Sequence, residues 1–174
     1  MQPLSPAPIQ APISMLEKTP GLLEILLRDV SPEVLGWKPA ADRWSITEVL
    51  GHLVVIERLY EQRAKRILLE HSPVLLRYQP PPAEDSVARL SLRQHLEEFG
   101  ALRRAFVFYM HSVASAAAGR TGQHGELGTI TLSEMLHELA NHDLGHLRQI
   151  AELYRARSFY PHAGPFQKYS KPKP

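Results

Sequence analysis

Residues 131–157, Thr-Leu-Ser-Glu-Met-Leu-His-Glu-Leu-Ala-Asn-His-Asp-Leu-Gly-His-Leu-Arg-Gln-Ile-Ala-Glu-Leu-Tyr-Arg-Ala-Arg, decide the fold. The stretch opens with Thr131-Leu132-Ser133-Glu134, a capping box that satisfies two otherwise orphaned backbone donors. Met135, Leu139, His142, His146, Gln149/Ile150 and Leu153 then recur in alternating steps of three and four. That spacing puts them on the one face of a helix that enters a bundle core. Two imidazoles therefore point inward, one turn apart.

Working outward, proline placement marks where other long helices are allowed, because a proline inside a helix costs about 3 kcal/mol. The runs 40–72 and 83–160 contain none. Ser45-Ile46-Thr47-Glu48 is a second capping box, and it predicts a helix from Ser45 to about Glu70 with Val49, His52, Ile56 and Leu59 facing inward. Leu92, Leu96, Phe99, Leu102 and Phe106 predict a helix from about Ser86 to Ser115. A short first helix is expected over Thr19–Asp29, with Thr19 as N-cap and Pro20 in the first helical position. Gly119, Gly122, Gly125 and Gly128 predict a loop, roughly Ala116–Ile130, long enough for a crossover. No sustained period-two alternation is present, so strands are not expected. The result is an all-α chain, a four-helix bundle with one long crossover connection. It is read as a single domain over residues 1–174, with a core of about 15–157, a Pro-rich lead over 1–14 and a tail over 158–174.

Composition excludes several functions. The 174 residues are 44% hydrophobic, enough to bury a core. Twenty Lys and Arg face 18 Asp and Glu, a net charge of +2 with no basic stripe, so nucleic-acid binding is not expected. There is no cysteine, which removes disulfides, thiolate metal sites and a cysteine nucleophile. No stretch approaches the ~18–20 apolar residues of a membrane span, and residues 1–12 lack the order of a signal peptide, so a cytoplasmic protein without membrane contact is expected.

The chain has nine histidines. His52, His142 and His146 all fall on inward faces, and a buried neutral imidazole needs partners for both ring nitrogens. Three rings on two helices satisfy one another only in part, whereas a divalent metal takes all three lone pairs at ~2.0–2.1 Å. These three are the predicted metal ligands. Gln149, one turn past His146, borders the pocket or is satisfied by backbone. Asp143 orients a ligand or pairs with Arg148 or another surface cation. Glu48 lies one turn before His52 but has a capping role. His95, between Leu92 and Phe99, lines a pocket or is a core residue. His137 lies outside the site, and His71, His111, His124 and His162 are solvated. Trp37 and Trp44 anchor the entrance to the second helix. Arg63, Lys65 and Arg66 form a solvated face, with a basic rim for an anionic thiol as the other reading.

The residues Trp44-Ser45-Ile46, Gly51-His52-Leu53 and His137 through Ile150, with the approach from Arg120 through Gly128 to Thr131 and Glu134, resemble the DinB superfamily, in particular its bacillithiol-transferase-like branch. The resemblance spans roughly Met15–Arg157. It implies up-down-down-up helix topology, a metal held by His52, His142 and His146, zinc or nickel as that metal, and a homodimer. It also implies a low-molecular-weight thiol as cosubstrate. Three neutral ligands leave a coordination position open, the count found in catalytic sites. Such an ion acidifies an external thiol, which gives S-transfer to an electrophilic small molecule, or water, which gives a hydrolase. A non-enzymatic metal-binding helical module is the third reading.

Overall fold

A computed structural model of the chain describes residues 7–75, 77–78 and 91–173. Four long helices carry it: α1 (Gln10–Leu27), α3 (Ile46–Leu69), α4 (Leu92–His111) and α5 (Leu132–Ser158), with a short α2 (Pro32–Gly36) between the first two. Among the described residues there is one small sheet, an antiparallel hairpin of β1 (Thr121–His124) and β2 (Gly128–Thr131).

The capping boxes start their helices as expected. The hydroxyls of Ser45 and Thr131 accept from Glu48 and Glu134 N–H, and those two carboxylates accept from the cap backbones. A third box, Ser91 with Gln94, starts α4. The α4 helix therefore begins at Leu92; positions 86–90 lie outside the described residues.

Side-chain contacts fix the helix directions. Ser133, at the start of α5, donates to Ala7 O just before α1, so α1 and α5 run the same way. Gln10, at the start of α1, meets Ser115 just beyond α4, so α4 runs opposite to α1. Arg120, one strand before α5, donates to Ile67 O and Glu70 O at the end of α3, so α3 also runs opposite to α5. The order is up-down-down-up. Both α4 and α5 pack on α1 and on α3, which places α1 and α3 on one diagonal.

The core has two apolar halves. One gathers Leu16, Ile56, Ile67, Phe106, Leu132, Leu136 and Leu139. The other gathers Leu23, Ile46, Leu50, Leu53, Phe99, Ile150 and Leu153. Between them lies a buried ionic layer. Arg103 of α4 donates to both carboxylate oxygens of Glu57 on α3 at 2.9 and 2.7 Å, to Asp143 on α5 at 2.5 and 3.4 Å, and to Leu16 O on α1 at 3.1 Å. All five guanidinium donors are used, and the ring of Phe99 lies beneath. Asp143 thus neither orients a histidine nor pairs with Arg148; its cation is a buried one on another helix.

Three expectations need correction. The first helix starts at Gln10, inside the supposed lead, and runs through Pro20. Pro12 sits in the first turn, where a backbone donor has no partner anyway. Pro20 cannot donate to Leu16 O, and Arg103 donates to that carbonyl instead. Thr19 is no cap: it is buried in mid-helix, its hydroxyl donating to Met15 O. Finally, the loop between the third and fourth long helices contains the hairpin. Its three-residue turn closes at Gly128, whose φ of 74° suits glycine. A side chain at Gly122 would meet Leu75 at 2.9 Å and Ile67 at 3.0 Å, so only glycine lets β1 lie this close to α3.

The tail forms short 3₁₀ turns at Tyr160–His162 and Gly164–Lys168 and returns along α5, with Arg155 donating to Ser170 and Glu152 accepting from Lys173 N–H.

Replacing Arg103 by Met strands two buried carboxylates. Urea denaturation is expected to show a loss of about 3–5 kcal/mol, with partial recovery when Glu57→Gln is added. A loss under about 1 kcal/mol, the scale of an exposed pair, would contradict the central role of this layer.

Candidate metal centre

His52 lies in the second turn of α3, and His142 and His146 lie near the middle of α5. The two capping boxes set the phase of these helices, and the ionic layer sets their height, since Asp143 follows His142 and Glu57 lies five residues after His52. The three expected residues converge. Nε2 of His142 is 3.0 Å from Nε2 of His52 and 3.1 Å from Nε2 of His146. Among the described residues this is the one group of three His, Cys, Asp or Glu ligand atoms close enough to share an ion.

Hydrogen bonding alone does not account for this cluster. A ring nitrogen offers one proton or one lone pair, so His142 Nε2 makes one good bond to its two neighbours, not two. The opposite nitrogens show what the cluster is prepared for. Gln149 Oε1 lies 2.8 Å from His146 Nδ1 and accepts its proton, which leaves the Nε2 lone pair directed at the centre. Tyr78 Oη lies 3.3 Å from His52 Nδ1, within hydrogen-bond reach of the far side of that ring. His142 Nδ1 is buried and has no hydrogen-bond partner among the described residues. Three imidazole nitrogens converging on one point are a donor set that suits zinc, nickel and related divalent ions.

Burial, reinforced by the rings of His146 and His142, pushes His52 down to about 4 from an ordinary 6.5. Burial, then the neighbouring His146, pushes His142 down to about 4 as well. Both rings therefore stay neutral, the form a metal requires, well below neutral pH.

The surroundings are aromatic. Trp44, adjacent to the Ser45 cap, lies 4.9 Å from the His52 ring and is stacked 6.3 Å from the His146 ring. Tyr78 stands edge-on to His52. Trp44 is thus part of the site and not merely an anchor of α3; Trp37 does pack on the apolar core. Tyr78 was not anticipated, because it lies outside every periodic segment. The segment 73–75 holds it there by pairing with β1: Gln123 N–H donates to Pro73 O, and Leu75 N–H donates to Gln123 O.

The other candidates separate. Gln149 is at the site, but through His146 and not through backbone. Glu48 is held by Ser45 and Lys38 and does not join the histidines. His95 is buried in α4, outside the group. His137 is exposed and bonded to Ser133, as expected for a residue outside the site. His124 is half-buried, and its Nδ1 accepts from Glu126 and Leu127 N–H in the hairpin turn. Of the basic group, Lys65 and Arg66 pair with Glu61 and Glu70 at the surface, but Arg63 is only 6% exposed. No helix of the described residues is long and apolar enough to cross a membrane.

Replacing Gln149 by Leu removes the acceptor that fixes His146, and metal affinity is expected to fall 10–100-fold by competition with a chromophoric chelator. An unchanged affinity would mean that Gln149 does not orient the ring. In the metal-free protein, the unfolded chain takes up protons on His52 and His142 below about 6.5 while the folded chain resists until about 4. The stability these rings contribute is thus complete above pH 6.5 and lost as pH falls through about 4. Histidine NMR titration checks this; midpoints near 6.5 would contradict it.

Comparison with known proteins agrees with this architecture. A protein of Oceanobacillus iheyensis, provisionally named a metal-dependent hydrolase, is 24% identical over 148 residues, covering 84% of this chain and 86% of that protein. YfiT from Bacillus subtilis, described as a "probable metal-dependent hydrolase with an unusual four-helix bundle topology", superposes with a TM-score of 0.78 at 19% identity, over 89% of this chain and 90% of YfiT. The sequence profile of the DinB superfamily matches residues 15–150, and the chain belongs to that superfamily.

Proposed function

We propose that the chain is a metal-dependent enzyme of small molecules, with His52, His142 and His146 as ligands of zinc or nickel, and that it transfers a low-molecular-weight thiol to an electrophilic carbon. The observation that carries the metal-dependent reading is the convergence of three Nε2 atoms, two of them anchored from behind by Gln149 and Tyr78. A divalent ion held there supplies Lewis acidity, which acidifies a thiol or a water molecule.

The thiol reading follows the resemblance to the bacillithiol-transferase-like branch and is compatible with the chain's composition. There is no cysteine, so sulfur must come from outside. Among the described residues the group that could share an ion consists of the three imidazoles alone. A thiol, with an ordinary pKa of about 8.5, needs less help. It loses its proton to solvent, its sulfur bonds to carbon, and the leaving group departs with the electron pair of the bond it breaks. Trp44 and Tyr78 give the substrate apolar faces beside the histidines. The proposal includes a homodimer, which sedimentation mass reads directly.

Hydrolysis is the second reading, and the names given to both relatives favour it. Zinc- or nickel-loaded protein incubated with bacillithiol, mycothiol, glutathione or coenzyme A and a panel of alkyl halides and epoxides separates the two. Metal-dependent loss of thiol, abolished in His146→Ala, is expected. Turnover of esters or amides without thiol, with an apparent pKa near neutrality, would replace transfer by hydrolysis. No turnover of either kind, with a sharp fall in melting temperature for His146→Ala, would make the metal structural.

A further inference from the structure

The outer face of α1 and α4 carries two matching stripes. Glu17, Gly21 and Glu24 recur along α1 at steps of four and three, and Arg104, Phe108 and His111 do the same along α4. All six residues are exposed. Between the stripes lies a hollow of about 180 Å³, bordered by Glu17, Pro20, Arg104 and Phe108. Phe108 is 81% exposed, the highest figure for a large apolar side chain among the described residues. One stripe is acidic and the other basic, yet the ion pairs of the described residues use none of these four charges.

Within one chain the stripes are out of register. A Cβ at Gly100 would lie 3.9 Å from that of Pro20, so these two residues stand level. Because α1 and α4 run in opposite directions, His111 lies about 16 Å to one side of that level and Glu24 about 6 Å to the other. A second copy brings them together. A twofold axis normal to this face, passing between Glu17 and Arg104, reverses the partner's α1, which then runs parallel to α4. Setting Arg104 against the partner's Glu17 carries His111 to the partner's Glu24, since each helix rises about 10 Å between its two charges. Phe108 then lands on the partner's Gly21. A Cβ at Gly21 would meet nothing within 4 Å, so that seat is open. The axis makes every contact twice. His111 can donate an N–H to a carboxylate in its neutral or charged form.

We propose that the α1/α4 face binds a second copy of this chain, with Arg104, Phe108 and His111 seated on the partner's Glu17, the partner's Gly21 and the partner's Glu24. The proposal gives the homodimer of the reading above its surface and rests on that part of it alone, not on the metal or the thiol. A centrally buried aromatic ring supplies most of the energy of such a contact, and the flanking charges fix its register. The histidines lie between α3 and α5, on the opposite side of the bundle, so both sites stay open in the dimer.

Sedimentation velocity of the full chain over a concentration series tests the surface. The wild type is expected to be a dimer, and Phe108→Glu a monomer with unchanged helical circular dichroism. Glu17→Arg and Arg104→Glu are each expected to weaken self-association about tenfold or more, through like charges across the axis. Mixing those two variants is expected to restore the dimer mass, because an all-basic pattern then meets an all-acidic one. In a mixture of isotope-labelled and unlabelled wild type, a filtered nuclear Overhauser signal between the Phe108 ring and the partner's Gly21 is expected, a readout independent of whether any variant folds. A dimer that survives in folded Phe108→Glu, or charge variants that stay monomeric when mixed, would overturn this surface and leave the homodimer standing. A monomeric wild type would overturn both.

Discussion

The guanidinium of Arg103 holds the bundle in register. It bonds to the other three long helices: Leu16 O on α1, Glu57 on α3 and Asp143 on α5. Desolvating one cation and two carboxylates costs several kcal/mol per ion, and mutual attraction offsets this only when the geometry is complete. Here it is complete, with every guanidinium donor used. A slip of one turn along α3, α4 or α5 would leave a buried charge without its partner, so the layer discriminates against wrong registers more than it adds net stability. Apolar packing on either side supplies the bulk attraction and is tolerant of sliding.

The histidine cluster inherits this register. His142 precedes Asp143, and His52 lies one and a half turns before Glu57, so locking Glu57 and Asp143 onto Arg103 brings the imidazoles level. The remaining pieces arrive through the crossover. Gly122 lets β1 lie against the end of α3, β1 pairs with residues 73–75, and that segment places Tyr78 against His52. A short hairpin of little stability on its own thereby supports Tyr78 at a site to which it gives no ligand of its own.

Much of this was legible in the sequence because it was local. The boxes at Ser45 and Thr131 and the three-and-four spacing after them specify two helices and the inward direction of three histidines. What was hidden depended on partners far away. Arg103 lies 40 and 46 residues from its carboxylates, and Pro20 is tolerated because a residue 83 positions later takes the carbonyl it frees. A signal was present all the same: Phe99, Arg103 and Phe106 share helical spacing, as do Leu139, Asp143 and His146, so charged residues occupied inward positions on two helices. The hairpin was missed because four-residue strands are too short to show alternation, although Gly128-Thr129-Ile130-Thr131 joins a turn glycine to β-branched residues. Tyr78 carried no signal, since its position follows from strand pairing and not from periodicity.

The central claim is that His52, His142 and His146 hold a divalent metal. The most direct measurement is elemental analysis by inductively coupled plasma mass spectrometry of protein purified without a His-tag or nickel resin, beside the variant carrying His52→Ala, His142→Ala and His146→Ala. Near-stoichiometric zinc or nickel in the wild type and none in the folded variant is the expected result. No metal in the wild type, even after exposure to zinc, would contradict the claim and make the three rings packing residues at the end of an ionic layer.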